Sequence, residues 1–426
     1  MTYRVAVTVL STCGRYRPTV SSVLDLSDDL WQGRVSIEDS HPFSMIRTVE
    51  ELADGVAFVA SFANVSALTT DDALVLVDTG SKPLAQHVHD TVRSWTDKPL
   101  DTAVFSHGHI DHVFGMAPFE AEGTGRCHVV GHQAMPARFD RYVLTAGYNE
   151  VVNQRQFGMP DLRWPRDYRY PDEVYDAQLA LQVDGLDLAL THCRGETDDH
   201  TYTWVPSRKV LCSGDLFIWA SPNAGNPQKV QRYPREWATG LRAMADLGAE
   251  LLLPGHGVPV AGADRIRQAL TESAELLEHL HDETVEMMNA GARLDEIVHT
   301  VKGPPHLLER PYLKPVYDEP EFVVRNVWRL YGGWWDGDPS HLKPAPAATL
   351  ATEIASLSGG PAVLADRALE LLSSDPRLAG HLAELASQAA PADEGIAAIR
   401  RQVFAARAEA EDSTMAQGVF RWAARS

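Results

Sequence analysis

Ser106-His107-Gly108-His109-Ile110-Asp111-His112 decides how this chain is read. Four side chains able to bind a metal fall within six residues, in the pattern HxHxDH. Imidazole nitrogens and carboxylate oxygens bind zinc and similar divalent ions well. Alternate residues of an extended turn point the same way. His107 and His109 can therefore grip one ion, while Asp111 and His112 reach a second close by. The apolar run before the motif, residues 100–105, predicts a short strand, and Val113-Phe114-Gly115 after it can turn into a helix.

Working outward, Val56-Ala57-Phe58-Val59, Asn64-Val65-Ser66-Ala67-Leu68 and residues 73–80 are short apolar runs. Such runs suit buried strands of a layered α/β domain. Residues 81–98 read as a helix, and 127–132 and 186–191 as further strands. Thr203-Trp204-Val205-Pro206 and Val210-Leu211-Cys212 flank a turn at Ser207-Arg208, which predicts a hairpin. Leu251-Leu252-Leu253 runs into Pro254-Gly255-His256-Gly257. Beyond residue 262 the texture turns helical. Residues 264–290 carry Ile266, Leu270, Leu276, Leu277 and Leu280 at helical spacing. Residues 319–332 and 347–422 follow as helical hairpins, broken at Lys343-Pro344-Ala345-Pro346. We expect an α/β domain over residues 1–262 and an all-α domain over 263–426.

The 426 residues carry 38 basic and 58 acidic side chains, a net charge of −20. That balance argues against a nucleic-acid or anionic-membrane partner. An anionic substrate would need local positive charge from metal or arginine. Cys13, Cys127, Cys193 and Cys212 are widely spaced and form no CxxC, so a disulfide framework is not expected and a reducing cytosol is. The first residues lack a long apolar core and cleavage site, so no signal peptide is read. Leu10-Ser11-Thr12-Cys13 is faintly like a lipoprotein box, but Thr12 is a poor residue before such a cysteine. No apolar run reaches the roughly 20 residues of a membrane span. The expected location is the cytoplasm.

Three more loops offer metal ligands. Thr191 to His200, THCRGETDDH, presents Glu196 and His200. Ser213-Gly214-Asp215 and Pro254-Gly255-His256-Gly257 each follow an apolar strand, where loops gather at one sheet edge and build sites. HGHIDH, a glycine-loop ligand, Gly-Asp and Pro-Gly-His-Gly, in this order, resemble the metallo-β-lactamase superfamily over roughly residues 45–260. Asp78-Thr79-Gly80 fits that family's early strand-turn motif. The family's usual PGHT loop is matched by Arg194-Gly195-Glu196-Thr197, so Glu196 falls on the ligand position, with His200 as the alternative. By position, the resemblance implies that His107, His109 and Glu196 hold one metal. Asp111, His112 and His256 would hold the second, and Asp215 would bridge them. Asp111 is then both a ligand and a possible proton acceptor. The ions would be two divalent metals, zinc by default, with iron or manganese as alternatives.

In the second half, Pro304-Pro305-His306-Leu307, Pro311-Tyr312-Leu313, Tyr317, Val324-Arg325 and Tyr331-Gly332-Gly333-Trp334-Trp335-Asp336-Gly337-Asp338-Pro339 resemble the dimerization domain of the linear alkylsulfatases. The resemblance implies an α/β metallo-β-lactamase αββα sandwich, then an all-α dimerization domain that makes a homodimer. It implies cleavage of sulfate esters by attack of a metal-bound hydroxide on a small-molecule substrate. The sequence does not include the lipid-carrier-like C-terminal domain of those enzymes, which argues against a long-chain surfactant. Glu196 agrees with the alkylsulfatase ligand pattern, whereas Asp215 is the general superfamily residue. The alternative is a lactone, thioester, phosphoester or β-lactam hydrolase on the same site. A non-catalytic metal-binding scaffold ranks third.

Anion contacts are expected from Asn149 and Arg155, which lie in a stretch loosely similar to one in the alkylsulfatases. Arg232, in the donor-rich loop after Asp215, and Tyr312 are further candidates. Lys229 in the same loop could bind an acid group but reads first as a surface charge. Trp334 and Trp335 read as a core or dimer anchor.

Overall fold

The computed structural model describes residues 22–44, 48–123 and 127–425. Cys13 and the stretch around it lie outside these residues. The first sheet has seven strands in sequential order. These are β1 (Thr48–Ala53), β2 (Val56–Ala60), β3 (Val65–Thr69), β4 (Leu74–Val77), β5 (Leu100–Val104), β6 (His128–His132) and β7 (Glu173–Tyr175). Neighbours from β4 to β7 run parallel. The second sheet contains β8 (Gln178–Val183), β9 (Leu186–His192), β10 (Thr201–Val205), β11 (Val210–Ile218), β12 (Leu251–His256) and β13 (Val260–Ala261). Its order is β13-β12-β11-β10-β9-β8. The expected hairpin is β10–β11, closed by a tight turn at Pro206–Arg208 with Val205 opposite Val210.

Alternation along the strands builds the layers. Val56, Phe58 and Ala60 of β2, with Val75 and Val77 of β4, face Leu188, Leu190, Val205, Val210 and Cys212 of the second sheet. The intervening Ala57, Val59, Leu74 and Leu76 face outward, under Val88 and Val92 of the Ala85–Trp95 helix. On the far side, Leu211 and Leu252 pack under Trp237, Leu241 and Met244 of the Pro234–Ala245 helix and Leu270 and Leu277 of the Ala263–Asn289 helix. The result is the expected αββα sandwich, with both faces of each central strand buried.

The core under the second sheet continues past residue 262 through Ile266, Tyr312, Leu313 and Val323. Helices follow at Pro320–Gly332, Pro339–Leu342, Ala347–Leu357, Pro361–Leu371, Pro376–Ala389, Glu394–Glu409 and Thr414–Ala423. Proline at the first helical turn starts most of them, where its missing N–H costs nothing. The last helix returns to the sandwich. Gly418 lies so close to the Ala146–Phe157 helix that a Cβ there would sit 2.2 Å from the Gln156 carbonyl oxygen. Trp334, Leu342, Leu350 and Leu357 are exposed.

Candidate metal centre

Asp215 lies within β11, and the other candidate ligands lie on loops or, for His256, at a strand end. The loop after β5 carries His107 to His112 and is held from behind by Asp78, just past β4. Asp78 accepts from the Ser106 backbone N–H (2.7 Å) and the Ser106 hydroxyl (2.7 Å). Its Oδ2 also lies 2.8 Å from His112 Nδ1. The next residue, Thr79, donates its N–H to the His112 carbonyl (2.7 Å). Within β11, Asp215 comes just past a register shift after Cys212, where Gly214 takes φ +50°. A Cβ on Gly214 would sit 2.7 Å from Ser106 Oγ, so glycine is needed both for the turn and for the close approach. His256 ends β12 beside Gly255, and a Cβ on Gly255 would lie 2.1 Å from Asp215 Oδ1.

Two sets of donor atoms result. In His107, His109, Glu196 and Asp215 they lie within 4.8 Å of one another, and likewise in Asp111, His112 and His256. His107 Nε2 and His109 Nδ1 are 2.8 Å apart, with Glu196 Oε1 3.6 Å from His109 Nδ1. Asp215 faces both sets. Its Oδ2 is 3.7 Å from His107 Nε2 and 3.4 Å from His256 Nε2, and its Oδ1 is 3.4 Å from His112 Nε2. Asp111 Oδ2 lies 3.4 Å from His256 Nε2 and 3.7 Å from His112 Nε2.

The back of each ring is tied where a partner is needed to aim it. His256 Nδ1 is 2.6 Å from the Phe62 carbonyl oxygen and His107 Nδ1 is 3.0 Å from Ser106 Oγ. Such outer partners fix the tautomer and leave the front nitrogen with its lone pair. His112 Nε2 and Asp215 Oδ1 are buried without a hydrogen-bond partner. Orphaned donors of nitrogen and oxygen in this mixture fit divalent ions such as zinc.

Burial pushes His107 and His109 well below the ordinary imidazole range, so both are neutral. His112 and His256 move the other way. Burial opposes their charge, but Asp215, with Asp78 and Asp111 beside His112 and Asp111 beside His256, outweighs it. His256 reaches about 9. Asp111 is drawn below the usual carboxylate range because His112 and His256 overcome its burial. The carboxylates thus draw positive charge into the cluster.

Glu196 and His200 have different tasks. Glu196 joins the first donor set, while Arg232 Nη1 contacts its Oε1 (2.7 Å) and Asn223 also donates to that oxygen. Burial raises the Glu196 carboxyl despite Arg232. His200 stands behind: its Nε2 accepts the Asp215 backbone N–H (3.0 Å), and its ring stacks on His107 at 4.6 Å. Burial lowers it to about 3, which keeps that acceptor free of a proton.

Three expected anion contacts have other occupations. The Asn149 amide donates to the Thr145 carbonyl (3.1 Å) and hydroxyl (2.9 Å), one helical turn back. Arg155 donates to Gln228 Oε1 (3.2 Å) and lies 4.3 Å from the Trp422 ring centre. Tyr312 stacks on Trp31 at 5.0 Å and donates to Glu272, deep in the helical core. Arg232 is at the site, though it is engaged by Glu196. The Lys229 ammonium is not the surface charge its sequence suggests, for it donates inward to Asn153 Oδ1 (3.0 Å). Sequence reasoning also missed the aromatic cover over His256. Phe43 lies 4.2 Å from the His256 ring and 4.3 Å from Tyr317, whose hydroxyl accepts from Gln156 (3.0 Å). Phe43 falls in a turn-rich stretch with no periodicity to mark it.

Residues 59–256 match the model of the metallo-beta-lactamase superfamily, and residues 293–426 match alkyl sulfatase dimerisation. A linear primary-alkylsulfatase from a Pseudomonas species is 28% identical over 315 residues, 68% of this chain and 59% of that protein. An (R)-specific secondary-alkylsulfatase from Pseudomonas is 25% identical over 375 residues, 79% of this chain and 56% of its own length. The chain therefore spans somewhat over half the length of these relatives. In fold it is similar to the stereoselective inverting sec-alkylsulfatase Pisa1 from Pseudomonas, with a TM-score of 0.80 and 22% identity, over 89% of this chain and 65% of that one. The chain joins a metallo-beta-lactamase superfamily domain to an alkyl sulfatase dimerisation domain.

Proposed function

We propose that this chain hydrolyses sulfate esters of small organic alcohols, using two divalent cations, and works as a homodimer. The observation that carries the reading is the pair of donor sets facing one shared carboxylate, Asp215. His107, His109 and Glu196 would hold one cation, Asp111, His112 and His256 the other, and Asp215 both. We take zinc as the native ion. Such a pair of ions supplies a water of lowered pKa and neutralises charge developing on a leaving oxygen. Around them the chain's own groups have defined work. Asp111, ionised because His112 and His256 outweigh its burial, is the residue we assign as proton acceptor as well as ligand. Arg232 holds Glu196 in place, and Phe43 and Tyr317 shield His256 from water.

The sulfate assignment is supported by the alkylsulfatase relatives and the matching dimerisation region. The exposed apolar residues Trp334, Leu342, Leu350 and Leu357 lie within that region and suit a second copy of the chain. The three described cysteines are buried and unpaired, which fits the cytoplasm. Among the described residues no helix is long and apolar enough to cross a membrane. The test is release of inorganic sulfate from a panel of short primary and secondary alkyl sulfates, run beside a lactone, a thioester, a phosphate ester and a β-lactam. We expect a sulfate ester to give the highest kcat/KM. Faster turnover of any other class would overturn the substrate assignment. Sedimentation should show a dimer, and a monomer at micromolar concentration would contradict the assembly.

A further inference from the structure

Residues 219–233 join β11 to the Pro234–Ala245 helix, and these described residues contain neither strand nor helix. Both side chains that grip Glu196 nevertheless come from this stretch. Asn223 donates to Glu196 Oε1. Arg232 contacts the same oxygen (2.7 Å) and donates to the Glu196 carbonyl (2.9 Å). A chain without regular structure does not fix its own side chains, so the two grips need a frame from outside.

The frame comes from the helical region. Asp318 is fully buried just ahead of the Pro320–Gly332 helix. It accepts from the Gly225 and Asn226 backbone N–H groups and from the Glu319 N–H (2.9 Å). An ionised carboxylate donates nothing and has room for all three. Gly225 allows the close approach, for a Cβ there would lie 2.3 Å from the Phe322 carbonyl carbon. Asn326, on the helix and 3% exposed, takes the other end of the loop. Its amide donates to the Arg232 carbonyl (3.0 Å). Its Oδ1 accepts from Gln231 (3.0 Å) and from Arg329 (3.0 Å). Asp318 thus ties the loop beside Asn223, and Asn326 ties it at Arg232. Among the described residues, neither of the two bonds to Glu196 itself.

We propose that Asp318 and Asn326 are positioning residues of the metal centre. They clamp the loop at both ends, so that Asn223 and Arg232 aim the Glu196 carboxylate at the cation of the first donor set. The inference rests on Glu196 as a metal ligand, and it makes the region that matches alkyl sulfatase dimerisation part of the frame of the centre. A ligand already held in one orientation loses little freedom when an ion arrives. A loose one must be ordered at that moment, which lowers affinity.

The experiment titrates zinc into chelator-treated full chains against a competing indicator. Glu196→Gln identifies the zinc equivalent that depends on this carboxylate. Asp318→Ala and Asn326→Ala should each weaken that equivalent about tenfold or more, as loss of an outer partner does, and leave the other within about threefold. Added to Glu196→Gln, either alanine substitution should cost no more than about twofold further, because its effect runs through Glu196. Asp318→Asn keeps an accepting oxygen for the loop and should hold zinc within about threefold of wild type. Melting of the zinc-free forms reports whether each variant folds. Where an alanine variant does not, Asn326→Asp replaces it, since it withdraws only the donor to the Arg232 carbonyl. Zinc affinities within twofold of wild type in the folded clamp variants overturn the proposal. So do equal losses with and without Glu196→Gln, which mark a general loosening. Unchanged zinc binding in Glu196→Gln alone overturns the ligand assignment, and the clamp with it.

Discussion

Replacing Asp78 by asparagine alters one atom of a buried side chain that carries no metal ligand itself. The carboxylate accepts from both donors of Ser106 and stands 2.8 Å from His112 Nδ1. An asparagine amide has one accepting oxygen and one donating nitrogen. If the oxygen keeps the Ser106 N–H, the amide nitrogen faces His112 Nδ1. The imidazole must then move its proton to Nε2, the atom that faces Asp215 and Asp111. A protonated Nε2 has no lone pair for a metal. Loss of such an outer partner weakens metal binding by about 10–100-fold, or roughly 1.4–2.7 kcal/mol. The loss should fall on the ion we assign to Asp111, His112 and His256, leaving affinity at the proposed His107, His109 and Glu196 site within about threefold. If instead the amide flips, a buried Ser106 donor loses its acceptor, at about 1–3 kcal/mol of fold stability. Zinc titration against a chelating indicator separates the two equivalents, and thermal melting reads the fold. Two zinc affinities within twofold of wild type, with an unchanged melting temperature, would refute the argument.

Three other substitutions probe the same architecture. Gly255→Ala places a methyl group where only 2.1 Å separates it from Asp215 Oδ1. Displacing that shared carboxylate should weaken zinc binding by more than about 100-fold, beyond the range for outer partners, and wild-type zinc content in this variant would count against Asp215 as a shared ligand. Arg232→Met strips Glu196 of its buried counter-charge, which should cost about 3–5 kcal/mol in chelator-treated protein. Zinc should recover part of that loss by giving Glu196 a new cation, so equal destabilisation with and without zinc, read from denaturant midpoints, would show that Glu196 does not face the metal. His200 titrates at about 3 in the fold against 6.5 ordinarily. Between those values the unfolded chain binds a proton that the folded chain refuses, so this residue makes stability fall as pH drops from about 6.5 towards 3. At pH 5 its share is about 2 kcal/mol. His200→Gln should therefore lose about 2 kcal/mol less than metal-free wild type between pH 7 and pH 5, and equal losses would remove His200 from that role.

Much of the sandwich is legible because its strands are short apolar runs bounded by turns, as at residues 56–59 and 73–77, and burial of both faces leaves a continuous apolar run rather than an alternating one. The ligands are legible for another reason. Metal donors are rare in apolar loops, so His107, Asp215 and His256 stand out one by one. Partners are harder to read. Asn149, Arg155 and Tyr312 are polar groups in suggestive stretches, but a helix carbonyl, an aromatic ring and Glu272 compete for them, and those contacts lie from four to 267 positions away in sequence. Lys229 shows the reverse. A lysine in a polar loop reads as solvated until the fold closes Asn153 and Trp164 over it. Phe43 reaches His256 from 213 positions away, beyond any local pattern.

The central claim is that two cations, held by Asp215 and six side chains around it, cleave a sulfate ester. It is tested most directly by adding zinc stepwise to chelator-treated protein while following sulfate release from an alkyl sulfate. Activity should rise until two equivalents per chain are bound and then level off. A plateau at one equivalent, or no sulfate released at any zinc level, would contradict it.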